Sequence, residues 1–138
     1  MNTALNHQQR GKLSKEKAQQ RAQAGIYSAK PVLGYLRARP GEVHVPDPTR
    51  VPLIRLAFHL AAVENQSLRT ILRTVNELGL TTNAGKPLSL NALHLMLTNP
   101  YYAGLVRNED HLVPGKHNAI VSNTQFETAQ KNLISRKR

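Results

Sequence analysis

The chain has 138 residues, enough for one domain with appendages but too few for two hydrophobic cores of normal size. Its 19 Lys and Arg residues against 8 Asp and Glu residues give a net charge of +11, which attracts polyanions such as duplex DNA, ribosomal RNA or an acidic membrane surface. It has no cysteine, so disulfides, thiolate zinc sites and cysteine nucleophiles are excluded.

Signals for export and for membrane insertion are missing from the sequence. There is no signal-peptide pattern, and no apolar run approaches the roughly 20 residues that span a bilayer. Two Phe, four Tyr and no Trp leave few rings on which single-stranded bases stack, which disfavours RNA-recognition sheets and oligonucleotide-binding barrels. We therefore expect a cytoplasmic protein without membrane contact.

Residues 1–30 are polar and strongly basic, with six Lys and Arg residues against Glu16 alone. Ser14 could cap a short helix that ends at Gly25, but such a helix has little apolar surface to bury and is marginal in isolation. We predict a basic arm that orders against a polyanion; a solvated tail is the equal alternative. The arm's candidate phosphate contacts are Arg10, Lys12, Lys15, Lys17 and Arg21.

Proline and glycine interrupt residues 31–48 so often that a long helix is excluded and only short extended pieces are predicted. Asp47-Pro48 has the pattern of a helix N-cap followed by proline at the first helical position. Pro52 argues for a later start, because proline is costly in a helix interior. The apolar spacing predicts a first core helix that ends near Glu64, with the core residues Val51, Ile54 and Phe58.

A second core helix is predicted from Ser67 to Leu78, because its apolar residues form one stripe. Gly79 follows at the position of a left-handed C-terminal cap. Arg69 lies on the outer surface, where it can contact phosphate, and Arg73 either pairs with Glu77 or is solvated. The turn-rich connection that follows is longer than in a tight helix-turn-helix, so the arrangement is helix-loop-helix.

A third helix is predicted between the N-cap Ser89 and a stop at Asn99-Pro100. One side is apolar, and the other side carries the compact residues Asn91, His94 and Thr98, with Leu95 beside them. Small uncharged hydrogen-bonding groups of this kind can contact base edges in a major groove. An ordinary helix with a solvated surface is the alternative explanation of the same pattern.

A strand over 101–107, a turn at 108–110 and a returning strand from His111 are predicted next. An extended piece over 119–121 precedes a C-terminal helix capped by Ser122 or the residue after it. The hairpin would form a basic wing beside the third helix, and its candidate phosphate contacts are Arg107, Lys116 and His117. The predicted fold is α+β and predominantly helical, with a helix-loop-helix core, a small β-hairpin or wing and a C-terminal helix.

Catalytic chemistry is poorly represented in the sequence. The one close pair of carboxylates, Glu109-Asp110, falls in a predicted turn, and the histidines lack metal-binding spacing. There is no glycine-rich loop of the kind that holds phosphates. We predict that this chain alone is not an enzyme and needs neither a cofactor nor a metal ion.

Three blocks of the sequence carry a family resemblance. They are Pro31-Val-Leu-Gly-Tyr; the stretch from Ser67 through Gly85 into Asn99-Pro100-Tyr-Tyr-Ala-Gly; and His117-Asn-Ala-Ile-Val-Ser followed by the Phe126–Leu133 helix with Gln130 in place. Together they resemble the DNA-binding "recombinase" domain of large serine recombinases, the phage integrases and their transposon relatives.

The resemblance implies that residues 31–138 are a recombinase-type DNA-binding domain and residues 1–30 a basic linker arm that leaves a catalytic domain. It implies an excised domain or fragment that recognises an attachment half-site without cutting it. The expected partners are double-stranded DNA and the other domains of a serine recombinase, with the isolated domain a monomer. The expected location is the cytoplasm of a bacterial or phage-type host cell, at the nucleoid.

We therefore expect the third helix to enter the major groove. Asn91 would hydrogen-bond to adenine, and His94 would hydrogen-bond to a base or a phosphate. Leu95 would contact a thymine methyl group, with Thr98 beside these residues. Backbone contacts are expected from the arm and from Arg69, Lys86, Ser89, Arg107, Lys116 and His117. A winged-helix-like transcriptional regulator and an RNA- or ribosome-binding protein are the alternatives.

Overall fold

The computed structural model describes residues 31–37, 39 and 42–136, which form four α-helices, one 3₁₀ turn and two antiparallel hairpins. The helices are α1 (Val51–Ala62), α2 (Leu68–Glu77), α3 (Leu90–Leu97) and α4 (Asn123–Arg136). The hairpins pair β1 (Tyr35–Leu36) with β2 (Val45–Pro46) and β3 (Leu105–Asn108) with β4 (His111–Pro114). The predicted α+β, predominantly helical fold is confirmed. The predicted arm over residues 1–30 lies outside the described residues.

The first helix begins later than the Asp47 N-cap pattern predicts. α1 starts at Val51 without a side-chain cap, and Pro52 sits in its first turn, where a missing N–H costs little. Asp47 instead closes the preceding turn: the Thr49 amide donates to its Oδ1 at 2.9 Å and the Arg50 guanidinium to its Oδ2 at 2.8 Å. These two bonds hold the pKa of the Asp47 carboxyl below its ordinary value. The later start that Pro52 indicated is therefore correct, and Asp47 caps the turn before α1 rather than α1 itself.

Serine N-caps start α2 and α3, as predicted. The Ser67 Oγ accepts from the Thr70 amide at 3.2 Å, and the Ser89 Oγ accepts from the Ala92 amide at 3.1 Å. Gly79 follows α2 with a φ of 97°, the left-handed conformation expected of a C-terminal cap. Both helices therefore begin and end close to the predicted limits.

The strand predicted over 101–107 is correct only in its second half. Residues Pro100–Ala103 form the 3₁₀ turn, in which the Asn99 Oδ1 accepts from the Tyr101 amide at 3.0 Å. Gly104 ends the turn with a φ of 89°, so β3 starts at Leu105. The turn takes precedence over strand formation because it buries the side chains of Tyr101 and Tyr102 in the core.

The extended piece predicted over 119–121 forms no strand with the described residues. The amides of Ile120 and Val121 both donate to the carbonyl oxygen of Tyr102, at 2.9 and 3.1 Å, and both side chains are buried. α4 then begins at Asn123. The Ser122 Oγ accepts a hydrogen bond from an amide in the first turn of α4, so Ser122 is the one of the two candidate caps that the structure supports.

One apolar core joins the four helices. The Phe58 ring of α1 lies 6.1 Å from the Phe126 ring of α4 and 5.7 Å from the Tyr102 ring, so α4 and the 3₁₀ turn both pack on α1. α2 packs on α1, and α3 packs on α2 and α4, which leaves the opposite side of α3 outward. No helix in the described part of the chain is long and apolar enough to cross a membrane.

Candidate nucleic-acid interface

The outer side of α3 carries the residues that the sequence singled out. Leu93, Met96 and Leu97 are buried, while Asn91 is exposed and Leu95 leaves 59% of its surface to solvent. His94 is half-buried between them. The helix therefore presents an amide and an isobutyl group outward while its other side packs on the core, which is the geometry that a groove-reading helix needs.

Hydroxyl groups at the two ends of α3 are partly used inside the helix. The Ser89 Oγ accepts from the Ala92 amide, and the Thr98 Oγ1 donates to the His94 carbonyl oxygen at 2.8 Å. Ser89 still has its hydroxyl proton to donate, whereas Thr98 offers its oxygen as an acceptor. Both side chains can therefore take part in an external contact without breaking the helix.

Two cavities flank Leu95. A cavity of about 530 Å³ separates α3 from the β3–β4 hairpin, and a cavity of about 330 Å³ separates α3 from the α2–α3 loop. Val32 and Asn99 line both cavities together with Leu95, and Arg107 lines the larger one. The structure thus brings Arg107 to the same surface as Leu95, although 12 positions separate them in sequence.

The remaining candidate cations are distributed around this surface. Lys86 is exposed in the loop that leads into the N-terminus of α3, and Lys116 is exposed directly after the hairpin. Arg69 is exposed on α2, where none of the described cavities reaches it. The arm candidates Arg10, Lys12, Lys15, Lys17 and Arg21 lie outside the described residues.

His117 is buried rather than exposed on a wing, with 6% of its surface accessible. Its ring stacks on the Tyr101 ring, its Nε2 lies 2.7 Å from the Tyr101 carbonyl oxygen, and the Tyr35 ring packs edge-on against it. Burial lowers its pKa below the ordinary value, although the bond to Tyr101 opposes this shift. A neutral, buried imidazole is not placed to contact a phosphate, so the structure gives no support to that prediction.

Arg50 is a structural residue of the site that the sequence did not reveal. Its guanidinium pairs with Asp47 at 2.8 Å and donates to the carbonyl oxygens of Thr81 and Thr82, each at 3.0 Å. These bonds tie the loop that carries Lys86 to the start of α1. The Asp-x-x-Arg spacing was a local signal of the ion pair, but the two carbonyl partners lie more than 30 positions away.

Among the described residues, no group of three or more His, Asp and Glu side chains is placed to hold a metal ion. The buried tyrosines are also unsuited to acid–base chemistry near neutral pH, because burial raises the pKa values of Tyr35 and Tyr102 far above the ordinary value. The surface around the outer side of α3 offers hydrogen-bonding groups, the exposed apolar side chain of Leu95 and cations, all of which suit binding.

A family model described as "Recombinase" matches residues 48–136 of the chain. Two solved structures each cover 92% of the chain with a TM-score of 0.71. One is a crystal structure of an LSR–DNA complex, 24% identical, of which the chain covers 38%. The other concerns the sequence requirements of the Listeria innocua prophage attP site; it is 27% identical, and the chain covers 52% of it. No curated protein matches the chain.

Proposed function

The chain belongs to the Recombinase family, as its three sequence blocks predicted, and we propose that it is the DNA-binding domain of a site-specific serine recombinase. In this role it recognises one half of an attachment site in duplex DNA and does not itself cut the strands. The observation that carries the proposal is the outer side of α3, where Asn91 and Leu95 are exposed on a helix whose other side is buried. The likeness to a structure that concerns a prophage attP site supports it.

α3 lies in the major groove in this proposal. The Asn91 amide donates and accepts one hydrogen bond each at the N7 and N6 edge of adenine, and Leu95 packs on a thymine methyl group. His94 contacts a base or a phosphate, and Thr98 accepts a hydrogen bond at the end of the helix. The cavities on both sides of Leu95 leave room for groove edges to approach the helix.

The cations around α3 hold the sugar-phosphate backbone. Arg107 reaches one strand from the hairpin side and Lys86 the other from the loop side, while Ser89 donates its hydroxyl at the helix N-terminus. Lys116 and Arg69 extend the contact beyond the immediate groove. The arm cations add affinity with little sequence information, because phosphate charge is the same at every base pair.

Other domains of a serine recombinase supply the DNA cleavage chemistry, and the chain spans less than two thirds of either matching structure. We place the isolated domain as a monomer on its half-site, in the cytoplasm at the nucleoid of a bacterial or phage-type host. In this proposal, pairing of half-sites belongs to the parent protein rather than to this domain.

Selection from a library of random duplexes tests the proposal. The chain should enrich one long half-site, and this sequence should match the boundary of a mobile element. An excess of structured RNA should displace little of the enriched duplex from the chain. Enrichment of no sequence, or preferential displacement by structured RNA, would instead indicate an RNA- or ribosome-binding protein. Enrichment of promoter sequences would indicate a transcriptional regulator.

A further inference from the structure

A side-chain amide from α2 holds the N-terminal end of α3. The Asn76 Nδ2 donates to the Leu88 carbonyl oxygen at 3.2 Å, and the Leu88 amide donates to the Asn76 Oδ1 at 3.1 Å. One side chain therefore satisfies both backbone groups of the residue that precedes the N-cap Ser89. Because hydrogen bonds are directional, this pair fixes both the position and the orientation of the chain as it enters the helix.

A second amide, from α4, holds the C-terminal end of α3. The Gln130 Nε2 donates to the carbonyl oxygen of Leu97, the last residue of α3. The last four carbonyl groups of any helix lack a partner within the helix, so this bond satisfies a partly buried group that the helix itself leaves unpaired. Gln130 is half-buried, which limits competition from water.

α3 needs both restraints because it is short. It has eight residues, and its packing on the core through Leu93 and Leu97 is apolar. Apolar burial is non-directional and resists sliding or rotation of a short helix only weakly. In contrast, an amide that reads a base loses its hydrogen bonds when it is displaced by about 1 Å or less.

We propose that Asn76 and Gln130 are positioning residues for base recognition. They fix the position of α3 along its axis and its rotation about that axis, and so the position of Asn91, without contacting DNA themselves. This inference rests on the proposed function of α3. Neither residue was singled out by charge or by exposure, because both act through backbone groups of another element.

The chain contains a matched control for Gln130. Asn132 lies two positions further along α4 and is equally half-buried, and its Nδ2 donates to the carbonyl oxygens of Ala61 and Ala62 at 2.8 and 3.1 Å. This bond closes the C-terminal end of α1 rather than α3. Removing it should reduce stability by the same physical mechanism while leaving α3 in place.

The experiment compares Gln130→Met with Asn132→Leu in the full chain, each preserving side-chain volume and removing the amide. The readout is the ratio of affinities for the enriched half-site and for a random duplex, measured where circular dichroism shows every variant to be folded. Gln130→Met should lower this ratio about 2- to 30-fold, whereas Asn132→Leu should leave it within about twofold. An unchanged ratio in folded Gln130→Met would overturn the proposal.

Asn76→Asp tests the other end of α3 and stands in if Gln130→Met does not fold. It keeps the acceptor for the Leu88 amide but replaces the donor with a carboxylate oxygen that repels the Leu88 carbonyl, so the ratio should again fall. Amide hydrogen exchange on the unmodified chain gives a further readout. The Leu88 amide precedes the helix, yet it should exchange slowly, and exchange at the rate of a free loop would contradict the restraint.

Asn91→Ala, measured in the same assay, separates this inference from the proposed function. If Asn91→Ala lowers the ratio and the positioning variants do not, α3 reads DNA but the amides do not place it. If Asn91→Ala leaves the ratio unchanged, Asn91 does not read a base, and the base contact on which the proposed function of α3 chiefly rests fails.

Discussion

The imidazole of His117 lies flat on the ring of Tyr101, with the ring centroids 3.7 Å apart and the planes 4° apart. Its Nε2 lies 2.7 Å from the Tyr101 carbonyl oxygen. Since a carbonyl oxygen only accepts, Nε2 carries the proton and Nδ1 is the unprotonated nitrogen. Nδ1 is buried against Gly115 without a hydrogen-bond partner among the described residues. The domain therefore folds around a neutral histidine.

Acid should destabilise the domain through this histidine. Burial lowers the pKa of folded His117 below 6.5, so between 6.5 and the folded pKa the unfolded chain binds more protons than the folded one. The contribution of His117 to the free energy of unfolding is fully present above about pH 6.5. It is lost as the pH falls through the pKa of His117 in the folded state. Urea denaturation at about pH 8 and about pH 5 should show the decrease.

His117→Phe is the control for the pH experiment, because it keeps a flat ring against Tyr101 and removes the titrating group. The difference in the free energy of unfolding between the two pH values should shrink in this variant. A difference of the same size in both proteins would mean that other groups cause the acid sensitivity.

Gly34 and Gly79 share a φ of 97° but differ in their surroundings, which makes them a matched pair. A Cβ at Gly34 would lie 2.2 Å from the Cδ1 of the fully buried Ile54, whereas a Cβ at Gly79 would meet nothing within 4 Å. Gly79→Ala should cost about 1 to 2 kcal/mol from backbone strain alone, and Gly34→Ala about 1 to 3 kcal/mol more from overpacking. Equal losses in urea denaturation would contradict the close approach at Gly34.

Arg50 should matter for stability far more than an exposed arginine of the same chain. Arg50→Met removes the pair with Asp47 and leaves the carbonyl groups of Thr81 and Thr82 without their donor, at a cost of about 1 to 3 kcal/mol. Arg73→Met, on the exposed surface of α2, should change the free energy of unfolding by less than about 0.5 kcal/mol. Similar values for the two variants would show that Arg50 does not hold the loop.

The basic arm should contribute affinity without specificity. Removing residues 1–25 should weaken binding to the enriched half-site and to random duplex alike, and the dependence of log K on log salt should become shallower by up to about 4 to 5. Replacing Arg10, Lys12, Lys15, Lys17 and Arg21 with Gln in the full-length chain should reproduce the change. A salt slope that stays the same after truncation would remove the arm from the interface.

Local signals in the sequence were sufficient to predict α2 and α3. The caps Ser67 and Ser89 bond to amides three positions away, and Gly79 ends α2 through its own backbone conformation. The exposed side of α3 follows from the 100° spacing of its residues, so Asn91 and Leu95 lie outside as expected. Structure that is decided within about one helical turn is accessible from spacing alone.

Contacts between distant segments decided the rest. His117 has the sequence context of an exposed cation, but it is buried because Tyr101 folds into the 3₁₀ turn beneath it. Asn76 and Arg50 are unremarkable polar residues in sequence, and Gln130 stood out only through the family resemblance. The backbone carbonyl groups that these three side chains bind lie 12 to 33 positions away. No periodicity reports which backbone carbonyl a distant amide or guanidinium will meet.

The affinities of Asn91→Ala for the enriched half-site and for a random duplex decide whether α3 reads bases. Asn123→Ala, which removes an exposed amide at the start of α4, is the matched control. If α3 reads bases, Asn91→Ala weakens half-site binding by about 1 to 3 kcal/mol and changes random-duplex binding little, while Asn123→Ala changes neither. Equal losses on both duplexes, or no loss on either, would contradict base reading by α3.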